Sequence, residues 1–277
     1  MATIVNRSSV LIEREPGGSR QRFIGDSLVK GSTFYLDVLT VSPGGCMDIS
    51  TEKTGIFFGQ VLEGAGKLEA SGEEYSLTDT HVFFLSPGTN TRLCSDHGVT
   101  LLAITVPDAV QFDSMLTSRG LQPCCIDAAK EPVLKSEHDD RTRIYLATEQ
   151  LFGTMALMGE IIGFPPGVVS ANHHHEGTDH FMYILGGQGV MYLNEQAHQI
   201  RADDMLYIPD LERHYCANNS SEKLTFVEFF LPGEYKTVWE NPDISCAWNP
   251  TGKNSRGGEP ARVIRPHVSD GTIYSDV

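Results

Sequence analysis

No stretch of the 277-residue chain approaches the roughly 18 consecutive apolar residues that a bilayer-spanning helix requires. Cations are scarce: 21 Lys and Arg stand against 36 Asp and Glu, a formal net charge of −15. Nucleic acids and anionic lipid surfaces demand clustered Lys and Arg, so neither is expected as a partner. The acidity reads as solubility and identifies no substrate. The opening MATIVNRSSVLIEREPGG lacks a basic start, an apolar run and a small-residue cleavage site, so a cytoplasmic protein is expected. The cysteines (Cys46, Cys94, Cys124, Cys125, Cys216 and Cys246) include no CxxC pair, which argues against a zinc ribbon. Without a secretory signal they are expected to remain reduced thiols. Sustained 3.6-residue periodicity is also rare. Asp108–Gln122 and the segment EYKTVWE (234–240) are the best short-helix segments.

What fills the chain instead is a series of short β-branched and aromatic runs. FYLDVLTV (34–41), GIFFGQVL (55–62), HVFFLSP (81–87) and VTLLAITVP (99–107) lie in the first half. TMALMGEIIGF (154–164), HFMYILGG (180–187), GVMYLN (189–194), DMLYIP (204–209) and LTFVEFFLP (224–232) lie in the second. Each is closed by Gly, Pro, Asn or Asp, the punctuation of strands rather than helices. Many strands without long helices between them predict an all-β sandwich or barrel.

The two halves repeat. QVLEGAGKL (60–68) aligns with YILGGQGVM (183–191), and the flanking turns SPGG (42–45) and PPGVVSA (165–171) fall in step within about one residue. Tandem copies of one barrel follow. The expected layout is a first barrel over 1–120, a polar linker over 121–148, a second barrel over 149–248, and an extended tail over 249–277. Exposed edge strands would need covering, which favours a homodimer.

The chemistry-bearing residues cluster in the second half. His173, His174 and His175 are followed by Glu176, then His180 opens the next apolar run, and His214 comes 34 residues later. Residues i and i+2 of a strand share a face, so His173 and His175 can point into a barrel while His174 points out. Convergent neutral imidazoles suit a divalent transition metal: Mn, Fe, Zn or Ni. This pattern resembles the two cupin motifs. Gly167, His173, His175 and Gly187 match the first in spacing, with His180 where that motif has Glu. Pro209, His214 and Asn218 match the second, with Leu211 in the place of its Gly. The resemblance implies two tandem cupin-type β-barrels (double-stranded β-helix, jelly-roll-like) with short helices, and a metal held by His173, His175, His180 and His214. A second register, His174, Glu176 and His180 with His214, keeps the same alternation on the opposite face, and the sequence alone admits both. In the first barrel, Ser50, Glu52, Phe57 and Thr91 or Arg92 stand at the equivalent columns. They form no ligand set, and that copy is expected to be structural.

Three readings of function follow. The layout resembles the ureidoglycine aminohydrolase group, bicupins with a degenerate first barrel, which implies a metal-dependent hydrolase or lyase acting on a small polar metabolite. In that group's ligand columns this chain holds His174, Glu176, His180 and His214, so the specific substrate does not carry over. Glu228, Glu176 and Glu212 are the candidate acid–base groups. An all-histidine site with open positions also suits an Fe(II) dioxygenase cleaving an enolisable diketone or flavonol-like substrate. The third reading is a non-catalytic or isomerase-like binder of a sugar or keto acid. Met182, Ile184, Tyr192, Tyr207 and Phe226 or Val227 are the expected lining of a partly apolar cavity.

Overall fold

The structure, a computed structural model, describes residues 2–241, 243, 246–268 and 277. Its regular secondary structure is almost entirely strand, and no helix of the described residues is long and apolar enough to cross a membrane. The chain divides into two compact units, Ser9–Ala128 and Met1–Ser8 together with Ala129–Val277. Each is built from two antiparallel sheets, as expected for a pair of cupin-type barrels.

In the Ser9–Ala128 unit, a seven-stranded sheet runs from Cys124–Asp127 at one edge to Glu13–Glu15 at the other. A four-stranded sheet orders Gly45–Ser50, Asn90–Ser95, Gly66–Ala70 and Glu73–Leu77. Their inner faces interdigitate through Leu39, Ile49, Phe57, Leu68, Phe83, Leu93 and Leu101. Burying side chains of this size contributes about 1.5–3 kcal/mol each. Ile49 opposes Thr91 as His173 opposes His214 in the other unit. The columns equivalent to the histidines therefore begin at Ile49. Ser50 and Glu52 are exposed, a one-residue phase difference from the expected alignment that turns them to the opposite face. Phe57 does stand where His180 stands, second in its strand and inside the core. This interior is filled by hydrocarbon.

In the other unit, a nine-stranded sheet contains, in order, Thr3–Asn6, Asp204–Ile208, Asp179–Gly186, Leu224–Leu231, Met158–Phe164, Thr142–Ala147, Pro132–Ser136, Ala247–Asn254 and His267–Val268. A five-stranded sheet orders Gln196–Arg201, Gln188–Leu193, His214–Ala217, His173–Glu176 and Lys236–Trp239. Ile162, Phe164, Met182, Ile184, Phe226 and Trp248 from the first pack against Met191, Ile200 and Cys216 from the second.

Several expectations are corrected. The polar stretch 121–148 is not a linker: Cys124–Asp127 pairs with His81–Leu85 in one unit, and Pro132–Ser136 pairs with Thr142–Ala147 in the other. Its charges are absorbed by ion pairs such as Arg143–Glu160 at 2.9 Å and Arg141–Asp139 at 2.8 Å. Of the expected tail, the part over 249–268 includes sheet: Ala247–Asn254 pairs with both Pro132–Ser136 and His267–Val268. Residues 269–276 lie outside the described residues. Asp108–Gln122 forms one short 3-10 helix, Ala109–Gln111, followed by turns rather than a continuous helix, and the segment 234–240 contains the strand Lys236–Trp239. The α-helix of the described residues is Glu149–Phe152, capped by Thr148 and closed by Gly153 in the left-handed region. Finally, Cys46 and Cys94 are cross-strand partners joined by a disulfide, leaving Cys124, Cys125, Cys216 and Cys246 free. The expectation of six reduced thiols fails because these two fall at opposing positions of adjacent strands, a relation that spacing does not reveal.

Candidate metal centre

Strand alternation builds the site. His173 and His175 share a face of their strand, and His173 lies directly opposite His214 on the neighbouring one. On the other sheet, His180, Met182 and Ile184 alternate along one strand, and Leu224, Phe226, Glu228 and Phe230 along the next. Glu160, Ile162 and Phe164 follow the same phase on a third. The second motif's turn places a non-glycine residue in the left-handed region: Leu211 has φ 66° and stands 59% exposed. Gly187, the last glycine of the first motif, has φ 78°, and a Cβ there would lie 2.4 Å from the Lys223 carbonyl oxygen. Only glycine fits that position.

The nitrogens of His173, His175 and His214 lie within 4.8 Å of one another. Their remaining ring nitrogens are held from outside. Nδ1 of His173 lies 2.9 Å from the Ala171 carbonyl, and Nδ1 of His214 lies 2.9 Å from the Glu212 carbonyl. A carbonyl only accepts, so both Nδ1 atoms carry the proton and both Nε2 atoms keep a lone pair. Thr237 Oγ1 stands 3.2 Å from Nδ1 of His175. Nε2 of His214 is buried with no hydrogen-bond partner among the described residues. A buried polar atom without a partner is costly, and three outward-anchored imidazoles with inward lone pairs are what a divalent ion needs. Burial depresses the pKa of all four imidazoles, to about 3 for His180 and His214 and well below normal for His173 and His175. They are therefore neutral, the ligating form. The donor set fits one divalent transition metal.

His180 is brought to the cluster, with ring centroids 5.1 Å from His175 and 5.0 Å from His214. Its Nε2 lies 3.0 Å from Glu228 Oε2, its ring stacks on Phe230, and its Nδ1 is buried without a partner among the described residues. The alternative register is not formed. His174 faces away from the cluster, and its Nε2 sits 3.6 Å from Glu176, which also meets Lys236 at 3.5 Å on the rim.

Of the three carboxylates expected to act as acid or base, Glu228 alone lines the cavity. Glu176 is taken up by Lys236 and His174. Glu212 accepts the backbone N–H of Ala2 at 2.9 Å and offers only its carbonyl to His214. Glu228 is not isolated. Glu160 is its register partner on the adjacent strand, and like charges so placed repel. Burial first, and then this neighbour, push the Glu160 carboxyl well above its ordinary range; burial also raises Glu228. Arg143, 2.9 Å from Glu160, and His180 offset the repulsion.

The cavity, about 50 Å³ in volume, is lined by 22 residues. Met182 and Phe226 line it as expected. Ile184 is core, Tyr192 and Tyr207 lie elsewhere, and Val227 faces the other side of its strand. The sequence reading missed Arg141, Arg143 and Glu160, all of which line the cavity. A carboxylate inside the apolar run MGEIIGF was the available signal for Glu160. The arginines were hidden in a segment polar enough to pass for a connection.

Comparison with known proteins follows this geometry. Residues 160–230 match the family model of the cupin domain, and residues 54–160 match that of the AraC-like ligand binding domain. An oxalate-binding protein of Thermotoga maritima is 28% identical over 87 residues, 31% of this chain and 72% of that protein. Among solved structures, a tryptophan-to-tyrosine variant of Bacillus subtilis oxalate decarboxylase superposes with a TM-score of 0.69 at 14% identity, covering 86% of this chain and 79% of the other. The same enzyme at pH 4.6 gives 0.68 at 15% identity, covering 86% and 78%.

Proposed function

We propose, from the premise that the chain is a cupin-superfamily protein with two barrels, that it is a metal-dependent enzyme acting on a small oxygen-chelating acid, by a hydrolytic or lytic step. In this reading His173, His175 and His214 hold the ion, Glu228 moves the proton, and the Ser9–Ala128 unit is structural. The carrying observation is the buried carboxyl pair Glu228–Glu160, joined through His180 to the three-histidine face and lining the same cavity. A buried carboxyl with a raised pKa is suited to take a proton near neutral pH and return it later. The bound ion would polarise a coordinated substrate oxygen. His180 orients Glu228 and keeps its proton in register, while Phe230 and Tyr235, stacked at 4.1 Å, wall off water on that side.

The relatives' names, oxalate-binding protein and oxalate decarboxylase, favour a small acid over other metabolites. The cavity volume is small for a polycyclic flavonol, which disfavours that form of the dioxygenase reading. An aminohydrolase step remains within the proposal and is recognised by ammonia release. The test is direct. Glu228→Gln should retain stoichiometric metal by elemental analysis, because it leaves the three nitrogens untouched, yet lose at least about 100-fold in turnover. His214→Ala should lose the metal itself. A metal-free wild-type protein purified without chelator, or a Glu228→Gln variant of normal turnover, would overturn the reading.

A further inference from the structure

Resting on that reading, we propose that Arg141 is the anion-binding end of the cavity. It would take the second carboxylate of a short dicarboxylate whose first carboxylate meets the three-histidine centre.

Arg141, just before the strand Thr142–Ala147, and Arg143 and Tyr145 within it are buried at alternate positions, but the two guanidinium groups are used differently. Arg143 is engaged: its Nε lies 2.9 Å from Glu160, and its Nη1 donates to the Tyr145 hydroxyl at 3.0 Å. Arg141 is gripped from its side and back. Its Nε donates to Asp139 at 2.8 and 3.0 Å, and its Nη2 reaches Cys246 Sγ at 3.3 Å. The rings of Phe164 and Trp248 flank its Cζ at 5.3 and 5.5 Å. Among the described residues no protein acceptor bonds Nη1. The residue is 9% exposed, and Phe164, Trp248 and Cys246, which hold it, all line the cavity with it. The Nη1 corner is thus left with its donors unused, on a guanidinium otherwise held in place. A guanidinium fixed in this way offers a carboxylate charge-assisted hydrogen bonds.

Charge points to the same ligand. Even with Glu160, Glu228 and Asp139 all ionised, Arg141, Arg143 and a divalent ion leave the site net positive, and any proton on the carboxyl pair raises that excess. A net positive site favours an anion over a neutral sugar, and two separate cationic points, the ion and Arg141, favour a ligand with a carboxylate for each. Ile162, Met182, Met191 and Phe226 also line the cavity, matching a bare carbon chain better than a hydroxylated one. A cavity of this size favours a short chain.

The experiment is calorimetric titration of full-length, metal-loaded protein with oxalate, malonate, succinate and glutarate, and with the monoamides of malonate and succinate. One chain length should bind best. The monoamides should bind roughly ten- to a hundredfold more weakly than their parent diacids, the loss expected for one charge-assisted contact. Arg141→Gln should lower the diacids to the level of the monoamides with metal content unchanged, and Arg141→Lys should recover part of the difference. Equal binding of diacid and monoamide by the wild-type protein overturns the proposal, as does undiminished diacid binding by Arg141→Gln. The wild-type comparison decides the matter even if that variant fails to fold. Normal metal content and an impaired Glu228→Gln variant, found alongside such a negative result, would leave the enzymatic reading standing and remove only the role of Arg141.

Discussion

The interior histidines make the second unit sensitive to acid in a direction that their surroundings fix. Unfolded, each imidazole titrates near its ordinary value of 6.5; folded and metal-free, His180 and His214 do so at about 3. Between those values the unfolded chain binds more protons, so stability falls as pH drops through that window, by about 1.4 kcal/mol per pH unit for each proton gained. Glu160 and Glu228 act oppositely. Their raised values give a contribution that is complete below the ordinary 4.5 and fades as pH rises. Four imidazoles outweigh one carboxyl pair. The urea midpoint of chelator-treated protein should therefore fall steadily from pH 6.5 to 4.5, and added metal should restore much of the loss at the upper end. Leu211 offers a second test. It holds the left-handed conformation that the motif assigns to glycine, at a strain of about 1–2 kcal/mol, of which glycine's greater entropy cost returns about half. Leu211→Gly should raise the melting temperature slightly, by about 0.5–1 kcal/mol in stability, without altering metal content. At this scale the sequence was informative where spacing and alternation acted together. His173, His175 and His214 were legible because strand period and motif spacing agreed. His180 was legible in place, but its bond to Glu228 was not, since nothing in either run says which strands become neighbours.

Strands carry the site, and one of them comes from a segment that looked like tail. His267 receives the Tyr145 hydroxyl on Nε2 at 2.7 Å, its own Nδ1 facing the Arg265 carbonyl at 3.0 Å. The polarity is consistent along the row: Arg143 donates to Tyr145, and Tyr145 to His267. The two-residue strand His267–Val268 thus steadies the arginine that faces Glu160. Tyr145→Phe would strip partners from two buried groups, at a cost of about 1–3 kcal/mol, and calorimetry should show a melting temperature lowered by several degrees. Elements whose hydrophobic runs were long and well punctuated, such as 180–187 and 224–232, were readable in advance. The strands at 132–136, 142–147 and 247–254 were not, because their inward positions include arginine, serine and tryptophan rather than an alternating apolar set, and 132–136 pairs with 247–254 across more than 100 residues.

Across the molecule, two copies of one architecture have diverged in what fills them: hydrocarbon in one, imidazole, carboxyl and guanidinium in the other. The Cys46–Cys94 bond lies in the first. Thiol titration in denaturant should count four groups before reduction and six after; six throughout would show that the two strands close without it. The repeat itself was visible from glycines and turn residues, and tandem barrels followed. The assignment of residues to each barrel was not visible in full, because the division does not respect chain order: the strand Thr3–Asn6 pairs with Asp204–Ile208. That pairing has a temporal consequence. During synthesis Thr3–Asn6 must wait, unmatched, until roughly two hundred further residues have been made before its hydrogen-bonding mate exists. Completion of the histidine-bearing barrel is thereby tied to the moment synthesis has passed residue 207, and a fragment starting at Ala129 would present Asp204–Ile208 as a bare edge ready to recruit a stranger's strand.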